Sequence, residues 1–282
     1  MPSPDFAGRR TVFRQLHQSG CFVLPNPWDV GTALYLRGLG FKALATTSAG
    51  FAFSRGLPDA EWVVSRDTML GHIAEIVAST DLPVNADFES GYAHEPDAVA
   101  QNVRLCAATG VAGLSIEDAT GNPQKPLYEL SFAVERIKAA RAAIDASGEE
   151  VLLTARAECF LVGHSEPLRE SIRRLQAYAD AGADVLYAPG PTKRDDIEAI
   201  VEAAGSKPVN VLLSSNTGLT VADLAALGVR RISLGSSLAR AAWTGFIRAA
   251  KEIAEQGTAT AFDGMVSYGE LNKFFEQNKK PL

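Results

Sequence analysis

Charged side chains close several apolar segments of the sequence, at the positions where predicted β-strands end. Asp87 and Glu89 close the segment 83–89, Glu117 closes 113–118, and Arg156 closes 151–157. Asp59 ends the loop that follows an earlier apolar segment. Carboxylates gathered at one place repel each other unless a cation neutralises them, and oxygen ligands of this kind suit Mg²⁺. The pattern predicts a magnesium site beside an arginine whose guanidinium fork binds an anionic group.

These side chains can meet only if the segments that carry them are neighbours in one sheet. Asp87 and Glu89 are two residues apart on one strand, so they share a face. Each carboxylate taken alone is explained as simply by a solvated strand end, because most charged residues are exposed. The same residue types at the ends of successive strands favour a functional site instead.

A repeated unit of the sequence supplies such strands. An amphipathic segment ends at a glycine, and a short apolar segment begins a few residues later, as at Gly40, Gly110, Gly182 and Gly228. Glycine adopts the left-handed conformation past a helix end at little cost, so the unit is typical of a helix-to-strand connection in a parallel sheet. Eight strands are predicted, over 22–26, 43–48, 83–89, 113–118, 151–157, 185–189, 208–213 and 230–235.

Eight strands that alternate with helices, such as those predicted over 96–109, 130–146 and 167–181, favour a closed barrel over an open sheet. We predict an α/β fold, a (β/α)8 TIM barrel, in a single domain over 1–282 with the barrel at about 20–257. A C-terminal helical extension is predicted over about 258–282, and its apolar residues from Phe262 to Phe275 need a partner surface. Active sites of such barrels lie at the C-terminal ends of the strands.

The composition argues against several classes of protein. A hydrophobic share of 46%, a charged share of 21% and a formal net charge of -6 are typical of a globular protein without a nucleic-acid partner. No apolar run approaches the roughly 18 residues of a membrane span, and no signal peptide is expected at the N-terminus. The scattered cysteines Cys21, Cys106 and Cys159 suggest reduced thiols in a cytoplasmic protein.

Six segments together resemble the isocitrate lyase/phosphoenolpyruvate mutase superfamily. They are 24–29 (LPNPWD), 46–48 (TTS), 56–59 (GLPD), 87–92 (DFESGY), 113–118 (GLSIED) and 155–156 (AR). No single segment is decisive, but in this order and spacing they cover most of the chain and form a strong signal.

The resemblance implies a barrel enzyme that binds Mg²⁺, or Mn²⁺ in its place, and a small carboxylate substrate. Asp87 matches the direct metal ligand of the family, and Asp59, Glu89 and Glu117 match carboxylates that hold metal-bound water. Arg156 matches the substrate-binding arginine. The turn Thr46, Thr47 and Ser48 matches the groups that grip the substrate carboxylate. The family also forms homodimers and homotetramers that exchange a C-terminal helix, which predicts the same assembly here.

Two departures separate this chain from the best-known activities of the family. The isocitrate and methylisocitrate lyases carry a Lys-Lys-Cys-Gly-His loop with a catalytic cysteine, and nothing in this sequence matches it. The phosphoenolpyruvate mutases place a lysine where this chain has Ala119. The following segment 120–126 (TGNPQKP) has the composition of a mobile lid, and Lys125 is its only candidate proton donor or charge.

The functional hypothesis is a Mg²⁺-dependent lyase or decarboxylase that cleaves a C–C bond next to a 2-oxo or 2-hydroxy carboxylate and leaves an enolate stabilised by the metal. It would resemble an oxaloacetate decarboxylase or a methylisocitrate lyase, with Glu89 and Glu117 as candidate bases. One alternative is a P–C bond enzyme, a phosphonopyruvate hydrolase or phosphoenolpyruvate mutase, in which Lys125 and Arg156 would bind the phosphonate. Another alternative is a barrel that binds a 2-oxo acid without catalysis.

Other residues with reactive or polar side chains have weaker claims. Cys159 is interpreted as a structural thiol, since no histidine partner is evident. His94 and His164 are candidates for the rim, but no spacing typical of a zinc site occurs. The segment 235–237 (GSS) is either a phosphate cradle or an ordinary helix start. Tyr187 is predicted to line the pocket, and Asn210 either lines it or faces a neighbouring helix. Asn210 and Asp59 are also candidates for binding substrate.

Overall fold

Eight short parallel strands surround a central axis in the computed structural model, which describes residues 5–278. They are β1 Phe22–Leu24, β2 Leu44–Ala45, β3 Val84–Asp87, β4 Gly113–Glu117, β5 Leu152–Arg156, β6 Val185–Tyr187, β7 Val209–Leu212 and β8 Arg231–Ser233. Each predicted strand is confirmed within shorter bounds, because the predicted segments included flanking residues that leave the hydrogen-bonded ladder. The (β/α)8 barrel is therefore confirmed.

The barrel closes between β1 and β2, the two strands at the ends of the sheet order. Ala45 N donates to Pro25 O at 3.0 Å across this junction. Proline has no N–H to donate, so the next link comes from a side chain, and Asn26 Nδ2 donates to Thr46 O at 2.8 Å. Asn26 Oδ1 also accepts from the two backbone N–H groups that follow β8, at 2.9 Å each. Asn26 therefore ties β8, β1 and β2 together.

Helices alternate with the strands along the chain. They are α1 Phe6–Leu16, α2 Val30–Gly38, α3 Ser48–Ser54, α4 Arg66–Ser79, α5 Pro96–Ala108, α6 Leu130–Ser147, α7 Pro167–Asp180, α8 Arg194–Ala203, α9 Val221–Ala226 and α10 Ser237–Gln256. The helices predicted over 96–109, 130–146 and 167–181 are confirmed as α5, α6 and α7. Both α5 and α7 begin with a proline, whose fixed φ suits the first helical turn and whose missing N–H costs no helical hydrogen bond there.

The helix α1, which the strand pattern does not predict, covers the N-terminal end of the barrel. Phe13 is fully buried, with its ring edge-on to His17 at 4.7 Å and to Phe22 at 6.3 Å. A Cβ atom built on Gly113, the first residue of β4, would lie 2.8 Å from the Phe13 ring. This packing covers the starts of the strands.

The predicted C-terminal extension forms a 3-10 turn, Thr260–Phe262, and the helix α11, Tyr268–Asn278. Within this chain α11 packs on α2, where the rings of Tyr35 and Phe274 lie 4.8 Å apart. Residues 279–282, the end of the predicted extension, lie outside the described residues, and exchange of the helix between subunits stays a prediction. No helix within residues 5–278 is long and apolar enough to cross a membrane.

Candidate functional site

The mouth of the barrel leads into a cavity of about 340 Å³. Nine of the residues predicted to form the site line it: Thr46, Thr47, Ser48, Asp59, Asp87, Glu89, Glu117, Arg156 and Asn210. They come from the ends of β2, β3, β4 and β5, from the loop before α4 and from β7. Parallel strands place their C-terminal ends at one face of the barrel, which is why residues so distant in sequence meet here.

Arg156 is the centre of the charged cluster. Its Nη1 lies 3.0 Å from Asp87 Oδ1 and 3.0 Å from Glu117 Oε2, while its Nε and Nη2 both lie 2.8 Å from Glu158 Oε1. Glu117 and Arg156 are paired residues of β4 and β5, so the sheet itself sets their proximity. Burial opposes the charged guanidinium, but Glu158, Glu117 and Asp87 outweigh burial and raise the pKa of Arg156 well above its usual value.

The second oxygen of Asp87 is held by the turn that follows β2. Asp87 Oδ2 accepts from both the backbone N–H and the hydroxyl of Ser48, each at 3.0 Å. Asp87 N donates to Thr46 Oγ1 at 2.9 Å, and the Thr47 hydroxyl accepts from Gly50 N at the start of α3. The turn predicted to grip a substrate carboxylate therefore also fixes the carboxylate predicted to bind the metal.

Glu89 sits in a backbone conformation that side chains adopt with difficulty. Its φ is 46°, and Tyr92, at the other end of the same turn, has a φ of 55°. The Tyr92 hydroxyl donates to Glu89 Oε1 at 2.5 Å, and Trp62 N donates to Glu89 Oε2 at 3.2 Å. Burial nevertheless outweighs these hydrogen bonds and raises the pKa of Glu89 to about 7, with smaller contributions from Asp87 and Asp59. Glu89 can therefore take up or release a proton near neutral pH.

Two other carboxyl groups of the cluster also have raised pKa values. Burial raises the pKa of Glu117 well above its usual value despite the opposing effect of Arg156. Burial, and then the neighbouring Asp87, raise the pKa of Asp59. Burial is therefore the main cause of both shifts, and neighbouring carboxylates add to it.

The donor set fits a hard divalent cation that keeps several water ligands. Asp87 and Glu117 both reach a single nitrogen of Arg156, so their oxygens converge, while Asp59 and Glu89 line the same cavity. Among residues 5–278, no three His, Cys, Asp or Glu side chains are close enough to enclose an ion by themselves. Mg²⁺ commonly binds through one or two carboxylates and water, so Asp87 would hold it with the other acids around its water shell.

A buried network behind the cavity, which the sequence pattern does not reveal, fixes Glu158. Asp118 Oδ1 accepts from Glu158 N at 2.8 Å, while its Oδ2 accepts from Arg174 Nη1 at 3.0 Å and from the Tyr178 hydroxyl at 2.5 Å. Glu158 in turn holds Arg156. In the sequence, Glu158 is indicated as a site residue only by its position two residues after Arg156. Arg174 and Tyr178 give no such indication, because they lie on the amphipathic helix α7, where polar and aromatic residues are expected.

Lys125 lies apart from the charged cluster. It is exposed and lines a second cavity of about 900 Å³, together with His94 and His164. The two cavities share Glu61 and Gly121 in their walls, and the lid segment is a hairpin joined by an Ala119–Leu127 bridge. In this conformation Lys125 is not a lining residue of the inner cavity.

The surroundings of the remaining candidate residues, Cys159, the segment 235–237 and Tyr187, show what each of them does in the fold. Cys159 is fully buried, and burial raises the pKa of its thiol to about 11, which supports the interpretation as a structural thiol. In the segment 235–237 the Gly235 N–H donates to Asn26, so this amide of the predicted phosphate cradle is already satisfied. Tyr187 lines the cavity, with the guanidinium of Arg156 5.2 Å from its ring centre.

Comparison with known proteins adds independent observations. A sequence model of the phosphoenolpyruvate phosphomutase family matches residues 13–254. An uncharacterised protein of Mycobacterium tuberculosis is 37% identical over 227 residues, which cover 79% of this chain and 81% of the relative. The 2-methylisocitrate lyase of Salmonella typhimurium is 33% identical over 169 residues, which cover 57% of this chain and 55% of the relative.

Solved structures resemble the whole chain. A protein of Burkholderia cenocepacia J2315, provisionally described as a lyase/mutase, superposes with a TM-score of 0.91 at 49% identity and covers 96% of both chains. A phosphonopyruvate hydrolase solved with oxalate and Mg²⁺ superposes with a TM-score of 0.83 at 25% identity and covers 95% of both chains. That enzyme of the same fold was therefore solved with both a divalent metal and a small dicarboxylate.

Proposed function

This chain belongs to the phosphoenolpyruvate phosphomutase family within the isocitrate lyase/phosphoenolpyruvate mutase superfamily, and from that premise we propose that it is a Mg²⁺-dependent carbon–carbon lyase. Its substrate is a small 2-oxo or 2-hydroxy carboxylate, and the bond cleaved lies next to the oxygen-bearing carbon. The single observation that carries the proposal is the convergence of Asp87, Glu117 and Glu158 on Arg156 in one cavity.

The charges of the cavity support binding of an anion through a metal rather than through the protein alone. Arg156 is neutralised by three carboxylates, so without a further cation the cluster would repel a carboxylate substrate. Mg²⁺, when bound, supplies the missing positive charge and stabilises negative charge that develops on the substrate. Arg156 then orients a substrate oxygen, and the turn at Ser48 keeps Asp87 in place.

Two side chains are placed to move a proton at the substrate. Glu89 has a pKa of about 7 because it is buried, so it exchanges its proton near neutral pH. Glu117, whose pKa burial also raises, lies on the neighbouring strand. A 2-hydroxy substrate needs a base of this kind for its hydroxyl group. Decarboxylation of a 2-oxo acid that carries a second carboxylate on C3, as oxaloacetate does, needs no base at the start.

The placement of cations favours C–C cleavage over P–C cleavage. Among the described residues that line the inner cavity, the arginines and lysines are Arg156 and Arg231, and Lys125 is not one of them. A phosphonate carries more negative charge than a carboxylate and would need more cations at the metal site than Arg156, already paired, provides.

Metal removal is the direct test. The protein would be incubated with oxaloacetate, 2-methylisocitrate and phosphonopyruvate, with release of pyruvate and of phosphate followed against enzyme-free controls. We expect pyruvate release from a C–C substrate that falls by at least about 100-fold with EDTA and returns with Mg²⁺. Turnover undiminished by EDTA would contradict the metal role. Release of phosphate together with pyruvate from phosphonopyruvate, without turnover of oxaloacetate or 2-methylisocitrate, would establish a P–C hydrolase instead. Tight oxalate binding without turnover would establish a barrel that only binds.

We also propose that a second copy of this chain covers α10, in a homodimer or homotetramer. Within α10 only Ala239 is buried, while Trp243, Phe246 and Ile247 are 38%, 62% and 45% exposed. Exposed apolar side chains adjoining on one helix mark an interaction surface. Light scattering of the wild type should give a multiple of the 30.0 kDa chain mass, and Phe246→Glu should lower it to one chain. A monomeric wild type would refute the assembly.

A further inference from the structure

The interior of the barrel below the charged cluster is unusually polar. Such interiors are commonly filled by layers of Val, Ile and Leu. Here Asn85, Ser115, Asn210 and Ser233 line the cavity beneath the mouth. Small polar side chains leave space and hydrogen-bonding groups, so the cavity continues into the barrel instead of ending at the strand ends.

Arg231 forms the floor of this cavity. It is the first residue of β8, is 2% exposed and lines the cavity. Its Nε donates to Asn210 Oδ1 at 2.8 Å on the neighbouring strand β7, and its Nη2 donates to Thr154 Oγ1 at 3.1 Å on β5. Since β5 and β8 are three strands apart in the sheet order, the guanidinium lies across the barrel interior.

The charge of Arg231 has no counterpart among the described residues. No carboxylate within residues 5–278 forms an ion pair with it, and its Nη1 is buried without a hydrogen-bond partner. Burial lowers the pKa of Arg231 to about 10, so the group remains charged at neutral pH. A buried cation without a carboxylate partner is strongly unfavourable, whereas Arg156, above it, has three carboxylate partners.

The two arginines lie at different depths of one cavity. Thr154, which holds Arg231, is two residues before Arg156 on β5 and faces the same side. Two residues of a strand span about 6–7 Å, so the Arg231 guanidinium lies roughly that far below the Arg156 level. This separation suits the two acid groups of a short aliphatic diacid.

We propose that Arg231 is a specificity-determining residue that receives a second, distal carboxylate of the substrate at the floor of the barrel. The inference rests on the proposed function, in which the metal and Arg156 take the 2-oxo or 2-hydroxy carboxylate end. One unpaired guanidinium among neutral groups matches the single negative charge of a carboxylate better than the higher charge of a phosphonate. The substrate class is thereby narrowed to short dicarboxylic acids.

A matched pair of ligands tests the proposal. 2-Oxoglutarate and 2-oxovalerate have the same chain length and differ only in the distal carboxylate. Calorimetry in the presence of Mg²⁺ should show 2-oxoglutarate binding roughly tenfold to hundredfold more tightly to the wild type, as expected for a hydrogen-bonded charge. Arg231→Met should remove this difference and Arg231→Lys should restore part of it. Arg169→Met, at an arginine that is 79% exposed, should leave the difference unchanged.

Oxalate separates failure of this inference from failure of the proposed function, because it has no distal group beyond the metal site. Suppose that the wild type and Arg231→Met bind oxalate equally well. If the variant also keeps the preference for 2-oxoglutarate over 2-oxovalerate, the role of Arg231 alone would be overturned. Absence of metal-dependent oxalate binding in the wild type would overturn both the role of Arg231 and the proposed function. A further outcome is that the wild type binds phosphonopyruvate more tightly than 2-oxoglutarate. If Arg231→Met lost that preference, Arg231 would bind a phosphonate and not a distal carboxylate, and the proposal would be overturned.

A crystal structure of the wild type with 2-oxoglutarate decides the matter if Arg231→Met does not fold. The distal carboxylate should lie within hydrogen-bonding distance of Arg231 Nη1. Ordered water alone at that atom, with the distal carboxylate elsewhere, would overturn the proposal.

Discussion

Asp87→Asn is expected to reduce turnover by roughly 10²- to 10³-fold, the loss typical when a group that stabilises developing charge is removed. Asp87 receives three hydrogen bonds, from Arg156 Nη1 and from the backbone and hydroxyl of Ser48. An amide of the same size has one accepting oxygen, so its NH₂ group would face one of these donors. The charge that would hold Mg²⁺ is lost as well, so metal affinity should fall together with turnover.

Calorimetric titration with Mg²⁺ and steady-state kinetics would measure both losses. Asp97→Asn is the matched control, because Asp97 is an exposed residue of the first turn of α5, on the helix that follows the same strand. It should keep metal binding and turnover within about twofold. If Asp87→Asn kept a tenth of the wild-type turnover, Asp87 would not be the metal ligand.

Arg156→Met is expected to lower the free energy of unfolding of the metal-free protein by about 3–5 kcal/mol at pH 8, because it leaves partly buried carboxylates without their cation. Arg156 is 15% exposed and lies within 3.0 Å of Asp87, Glu117 and Glu158. Turnover should also fall, since the group that orients the substrate is missing. Arg156→Lys should recover part of the stability but little turnover, because an ammonium cannot provide the two-nitrogen fork.

The stability loss of Arg156→Met should depend on pH in a definite direction. Arg156 lowers the pKa values of Glu117 and Glu158, which burial raises, so the variant raises both pKa values further. An acid whose folded-state pKa lies above its unfolded value stabilises the fold at low pH and loses that contribution as pH rises through the folded pKa. The difference from wild type should therefore be smaller at pH 5 than at pH 8.

Denaturant unfolding at the two pH values measures this difference. Arg173→Met, at an arginine that is 59% exposed and pairs with Glu170, serves as the control and should change stability by less than about 1 kcal/mol at either pH. If Arg156→Met lost the same free energy of unfolding at pH 5 and at pH 8, the carboxylates left without Arg156 would not be the cause of the loss.

Local signals in the sequence were sufficient for the barrel and for the acidic half of the site. The glycine that ends several of the helices and the apolar runs that form the strands are short-range features, so all eight strands could be placed from the sequence. Parallel strands gather their C-terminal ends at one face, and this rule alone predicted that Asp87, Glu117 and Arg156 would share a cavity.

Contacts across the barrel and between its outer elements were decided only by the tertiary structure. Arg231 reaches Thr154, 77 positions away in sequence, because the closed sheet places β8 and β5, three strands apart, across a narrow interior from each other. Lys125 lies at the outer cavity because the lid hairpin directs it there. The hydrophobic pattern of the sequence does not predict this placement. A sequence pattern specifies which face of an element a side chain occupies, whereas the partner that meets it depends on the closure and register of the whole barrel.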